Sequence, residues 1–324
     1  MNNFKKIGMT ALAASLVSTS VFAGEMSVSG TASMTYENYS KSDGNLSGAK
    51  YFTQNNNLVF SGGGELDNGL TVALSFELDD GYNNSTKSTS VWDDHSLTVS
   101  SDALGTFGIY GHGGSSAQKQ YSGTVAGNIW DNFDGTAGVT ATRKASMSGN
   151  NLMKYALPTM IEDVALSVSY QAGGTAAAGA ASSKAYGLEY TGVEGLTASF
   201  GMGDDDSTLH NKVDVTSWKA SYVFNSVTVG ASQNDYKPET ANTDESTKSW
   251  NIAYTVSDAI SVAYGIEEIS NEANTADSEY TSISGSYTSG GMTVSVGHQT
   301  AEAGAGASTD KDVDYNYLTL GFAF

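Results

Sequence analysis

The sequence predicts an all-β protein, a transmembrane antiparallel β-barrel of about 16 strands, on three observations. Apolar and polar residues alternate with period 2 along nearly the whole chain. The connections between these segments alternate between short and long. No apolar run beyond the N-terminal segment approaches the roughly 18 residues of a spanning helix, so a chain that enters a bilayer must do so as a closed barrel.

The N-terminal segment reads as a secretory signal peptide covering residues 1–23. Lys5 and Lys6 precede an apolar stretch from Ile7 to Val17, and Val21-Phe22-Ala23 supplies the cleavage site. That stretch is too short to span a bilayer. The expected mature chain, residues 24–324, is the barrel domain. Lys5 and Lys6 are the only charges in the leader, so the 15 basic and 35 acidic side chains of the whole chain become 13 and 35. A chain this acidic repels nucleic acid. It contains no cysteine, which excludes a disulfide-stapled secreted domain and leaves backbone pairing and burial to hold the fold. Two prolines, 18 tyrosines and abundant Ser and Thr favour strands over helices or disorder.

The first strand places Met26, Val28, Gly30, Ala32, Met34 and Tyr36 on one face and Ser27, Ser29, Thr31, Ser33 and Thr35 on the other. The pattern returns from Leu58 to Leu66 and from Leu70 to Leu78, with Asp67-Asn68-Gly69 as a tight hairpin turn between them. Thirteen further segments follow, from Leu97-Val99 and Phe107-Ile109 to Leu318-Leu320-Phe322-Phe324. Short turns fall at residues 67–69, 101–105, 158–163, 191–195, 225–226, 257–259 and 288–291. Long polar loops fall at 41–54, 79–94, 113–150, 171–184, 203–216, 234–247, 267–278 and 299–312. An even strand count with short turns at one end and long loops at the other is the barrel signature. A β-sandwich would not alternate its loops so regularly, and no fixed repeat marks a solenoid.

Three stretches carry a family resemblance. Gly24-Glu25-Met26-Ser27-Val28-Ser29-Gly30 opens the mature chain, Asn151-Leu152-Met153-Lys154-Tyr155-Ala156-Leu157-Pro158 lies mid-chain, and Leu318, Leu320, Phe322 and Phe324 alternate into a terminal aromatic. With them the chain resembles the general-diffusion porins of Gram-negative bacteria over nearly its whole length. The resemblance implies a homotrimer in the outer membrane, in contact with its lipids and lipopolysaccharide, with a third loop folded into the lumen. It also implies passive diffusion of small hydrophilic solutes.

The longest connection, residues 113–150, occupies the place of the constriction loop. It carries Lys119, Asp131, Asp134, Arg143 and Lys144, and a pore selects by the field of such charges at its narrowest point. Asp131 and Asp134 are the candidates for the acidic side. For the basic side, Lys154 stands between the lipid-facing Met153 and Tyr155 and so faces the lumen. The same parity turns Glu65, Glu77, His112, Glu189 and Lys219 inward. The family carries a cluster of arginines opposite the loop, whereas Arg143 is the only arginine here; with the net charge this points to cation preference.

Other features carry less. Asp79-Asp80, Asp93-Asp94 and Asp204-Asp205-Asp206 fall in expected external loops, where carboxylates suit Ca²⁺ or simply meet solvent. No resident cofactor is expected. The four histidines show no ligand spacing, and no nucleophile, base and orienter assemble, so an enzyme is not expected. Tyr36, Tyr170, Trp218 and Trp250 fit one interfacial girdle, and Phe107, Tyr190, Phe224 and Phe324 the other. A structural or adhesive barrel is the alternative, but a 16-stranded circumference leaves an aqueous lumen.

Overall fold

The computed structural model describes residues 25–40, 50–79, 92–133, 148–149, 151–173, 182–205, 212–240, 243–272, 277–302 and 312–324. In chain order the strands are β1 (Glu25–Tyr39), β2 (Lys50–Glu65), β3 (Thr71–Asp79), β4 (Trp92–Ser101), β5 (Gly105–His112), β6 (Gly114–Ser115), β7 (Ser148–Gly149), β8 (Leu152–Ala156) and β9 (Val164–Gln171). They continue with β10 (Ser183–Tyr190), β11 (Leu196–Asp204), β12 (Val213–Phe224), β13 (Val227–Pro238), β14 (Glu245–Ser257), β15 (Ile260–Asn271), β16 (Ser278–Ser289), β17 (Met292–Glu302) and β18 (Val313–Ala323). All but β6 and β7 form one closed antiparallel barrel of 16 strands, each paired with its sequence neighbour, with β5 joined to β8 and β1 to β18. β6 and β7 form a two-residue ribbon at the root of the long loop.

Alternation sorts the two faces. Trp218, Tyr222, Val229, Trp250, Ile252, Tyr254, Val262 and Tyr264 are exposed on the outside, as a bilayer permits. The intervening residues on the same strands, Ser217, Lys219, Ser232, Ser249 and Ser261, turn inward. Inward hydroxyls pair across the ladder, Ser232 with Ser249 at 2.7 Å and Ser261 with Ser286 at 2.8 Å, so polar pairs line the inner wall. At the first short turn the Gly69 N–H donates to the Leu66 carbonyl at 2.8 Å, with Gly69 at φ +80° as the turn requires.

The strands run further than the apolar alternation marks. β2 starts at Lys50, β13 ends at Pro238, β15 at Asn271 and β17 at Glu302, all inside stretches the sequence assigns to loops. Beyond the hydrocarbon band the outer face no longer needs apolar residues, so pairing continues while the pattern fades. For the same reason Asp93 and Asp94 belong to β4 and Asp204 to β11 rather than to external loops. Asp80 and Asp206 lie outside the described residues.

Candidate permeation site

The loop after β5 lies along the inner wall and follows the strands in order. The Ala117 N–H donates to Ser169 Oγ on β9 at 2.9 Å, and Gln118 Nε2 to Ser217 Oγ on β12 at 2.6 Å. Asn234 on β13 donates to the Ser122 carbonyl at 2.9 Å, and the Val125 N–H is shared between Ser232 and Ser249 at 3.2 and 3.1 Å. Further round, Glu267 on β15 accepts from Thr124 Oγ1 and, at 3.1 Å, from the Trp130 N–H. Asn132 reaches Gln299 on β17 at 2.8 Å, and the Tyr39 hydroxyl on β1 donates to the Asn132 carbonyl at 2.9 Å.

Two features of the wall make this course possible. Gly187, Gly201, Gly230 and Gly265 face inward on β10, β11, β13 and β15; a Cβ on Gly187, Gly201 or Gly265 would collide with the loop, and one on Gly230 would meet Asn251 Oδ1 at 2.5 Å and crowd Val125 of the loop at 3.1 Å. At Gly187 it would lie 2.4 Å from the Ala117 carbonyl oxygen, at Gly201 2.9 Å from Gln118 Cα, and at Gly265 2.8 Å from Ala126 Cβ. The end of the loop's described stretch, residues 129–133, is held by burial. Ile129, Trp130 and Phe133 join Tyr39, Tyr280 and Tyr315 in an apolar cluster, with the Phe133 ring 5.8 Å from Tyr280 and 6.3 Å from Tyr315.

The candidate charges fall at different points on this path. Lys119 and Tyr121 form a short 3-10 turn near the loop's start, and Asp131 lies in a second one, residues 129–133, with its side chain exposed. Lys154 on β8 donates through Nζ to Gln120 Oε1, at the loop's start and not opposite Asp131. Lys219 on β12 approaches the loop at Gly123, where its Nζ would lie 3.7 Å from an added Cβ. Glu189 on β10 stands beside Tyr121; burial, and then the Glu189 charge, pushes that phenol up to about 12. Glu77 on β3 accepts from Asn57 Nδ2 at 2.6 Å, while Glu65 sits at the end of β2 beside the short turn, away from the loop. Asp134, Arg143 and Lys144 lie outside the described residues.

Sequence reasoning missed Glu267, the glycine track and a cluster at the loop's root. His112 Nδ1 lies 3.3 Å from Asp93 Oδ1 and 3.1 Å from Asp94 Oδ1. A register shift between His95 and Ser96 aims the two aspartates at His112, so residues without ligand spacing in sequence meet in space. Parity with Ile266 and Tyr264 marks both Glu267 and Gly265 as inward, which is the signal that would have found them.

The family model for Gram-negative porins matches residues 8–323. The chain belongs to that family. This porin is also similar in fold to the anion-selective porin of Comamonas acidovorans, with a TM-score of 0.71 at 13% identity over 93% of this chain and 100% of that one. It is likewise similar to a loop-deletion mutant of OmpT, an outer membrane protein of Vibrio cholerae (TM-score 0.70, 12% identity, 94% and 100% covered). A mutant of the Rh. blastica porin gives a TM-score of 0.66 at 15% identity, with 93% and 100% covered. No curated relative matches the sequence. The porin is a channel protein of the Gram-negative outer membrane.

Proposed function

We propose that this porin admits small hydrophilic solutes and ions by passive diffusion through its water-filled lumen, prefers cations, and works as a homotrimer among outer-membrane lipids and lipopolysaccharide after loss of residues 1–23. The observation that carries the cation preference is the sign of the inner wall that faces the loop. On β1 to β5 the inward-facing charges among the described residues include Glu37, Glu65 and Glu77, and no lysine or arginine joins them. The exposed carboxylate of Asp131, next to the Asn132 held by Tyr39 of β1, adds to this field, while Lys154 is engaged by Gln120. The similar Comamonas porin is anion-selective, and at 13% identity that sign does not carry over to this chain.

The trimer reading has its own support. On the outer face of β2, Gln54 and Asn56 stand opposite Met34 and Ala32 of β1, within the barrel wall. Gln54 Nε2 donates to Asn56 Oδ1 at 3.5 Å, and a neighbouring subunit would satisfy the remaining amide donors and acceptors of this pair.

The reversal potential of the reconstituted porin in a salt gradient tests the proposal. It should shift toward the cation, and Asp131→Asn should lower the cation-to-anion permeability ratio by about twofold. An anion-directed potential would overturn the preference. A bilayer without conductance steps would favour a plugged, adhesive barrel.

A further inference from the structure

The outer surface bears a concavity of about 400 Å³ across β5, β8, β9 and β10. Two cross-strand rows build it. Phe107, Tyr155, Val168 and Tyr186 are register partners in one, and Met153, Tyr170 and Lys184 in the other. Apart from Lys184 these are apolar or aromatic side chains on the lipid-facing parity. The hollow exists in part because the Tyr155 hydroxyl donates to the Leu104 carbonyl at 2.6 Å, which holds that ring toward the short-turn rim.

Lys184 sits at the other end. β10 begins directly after a long connection, so Lys184 marks the external edge of the hollow. Two other outward lysines have acidic companions: Lys248 lies 3.6 Å from Glu268, and Lys237 stands opposite Asp214 in the ladder. Near Lys184 the carboxylate is Asp204, and its Oδ1 accepts the Lys184 backbone N–H at 2.7 Å. An ammonium above an apolar trough matches a molecule with an anionic head and acyl chains.

We propose that this groove is a docking site for a phosphorylated, acylated lipid of the external leaflet, its chains lying over Val168 and Met153 and its phosphate on Lys184. The proposal rests on the lipid contact read above and gives it an address. A second copy of the chain is the competing occupant; the subunit contact proposed above lies at Gln54 and Asn56 of β2, on a different part of the circumference.

Native mass spectrometry of the detergent-purified porin, titrated with bisphosphorylated lipid A, tests it. Lys184→Gln should weaken binding by about threefold, and Asp204→Asn, which removes the competing charge, should strengthen it. Val168→Trp should fill the trough and displace the lipid, while Lys237→Gln should leave binding unchanged. Heat-modifiable electrophoretic mobility verifies that each variant is folded. Identical binding by wild type, Lys184→Gln and Val168→Trp would overturn the site while leaving lipid contact in general intact. Equal affinity for dephosphorylated lipid A would remove the role of Lys184. A Met153→Cys disulfide between copies in native membranes would show that a subunit, not a lipid, covers the groove.

Discussion

The Glu267 carboxylate accepts the backbone N–H of Trp130 at 3.1 Å, one residue before the exposed Asp131. With Thr124 Oγ1 on its other oxygen, this side chain is fully buried between wall and loop. Backbone donors at a 3-10 turn otherwise lack partners, and a carboxylate satisfies them with charge-assisted bonds. The turn that carries Asp131 therefore depends on a buried residue of β15.

Glu267→Ala should release that end of the loop. Stranded buried donors cost about 1–3 kcal/mol, so the barrel's thermal midpoint should fall and single-channel current should become noisier. Glu267→Gln, which keeps one acceptor, should show a smaller change. Calorimetry and bilayer recording read both; an unaltered channel in the alanine variant would mean that the aromatic cluster around Phe133 suffices.

Gly201→Ala and Gly187→Ala should push the loop away from the wall. The added carbon meets backbone atoms of the loop, which cannot swing aside as a side-chain tip can. Overpacking of this kind costs about 1–3 kcal/mol, and the displaced segment should narrow the lumen and lower conductance. Gly285→Ala, where the nearest atom is 3.7 Å away, is the matched control and should conduct normally.

Lys219→Gln should raise the cation-to-anion permeability ratio, by about twofold, because it removes a base that approaches the loop at Gly123. The salt-gradient reversal potential measures this. An unchanged potential would place Lys219 outside the field that ions cross.

Replacing Gln54 and Asn56 with leucine distinguishes subunit contact from lipid contact. At an interface the loss of paired amides should lower the temperature at which the assembly dissociates in semi-native electrophoresis. Against lipid, the same change would stabilise the barrel by replacing a pair of polar side chains with apolar ones.

The barrel was legible in the sequence because each strand buries one flank in lipid, and period 2 records that locally. Asp67-Asn68-Gly69 and its counterparts then set the hairpins, since a tight turn needs particular residues. The loop inside the lumen was not legible to the same depth. Its partners are far away in the chain, Thr124 with Glu267 and Asn132 with Gln299, and no short-range period encodes such meetings. Lys154 and Lys219 could be turned inward by parity alone, yet which part of the loop each would meet required the structure. His112 with Asp93 and Asp94 depended on a register shift that breaks the very alternation used for reading.

The seam between β1 and β18 joins Thr35 to Thr319 across 284 positions of sequence, with hydroxyls 2.9 Å apart. Every other barrel pairing forms between neighbours in the chain, β5 with β8 across the long loop excepted, and can zip up as a growing meander. The cylinder cannot seal until all of them are in place, so any partly assembled form carries two bare edges ready to join another molecule. Loss of hydrogen bonding at this single junction, more than at any hairpin, should slow insertion and favour edge-to-edge aggregates.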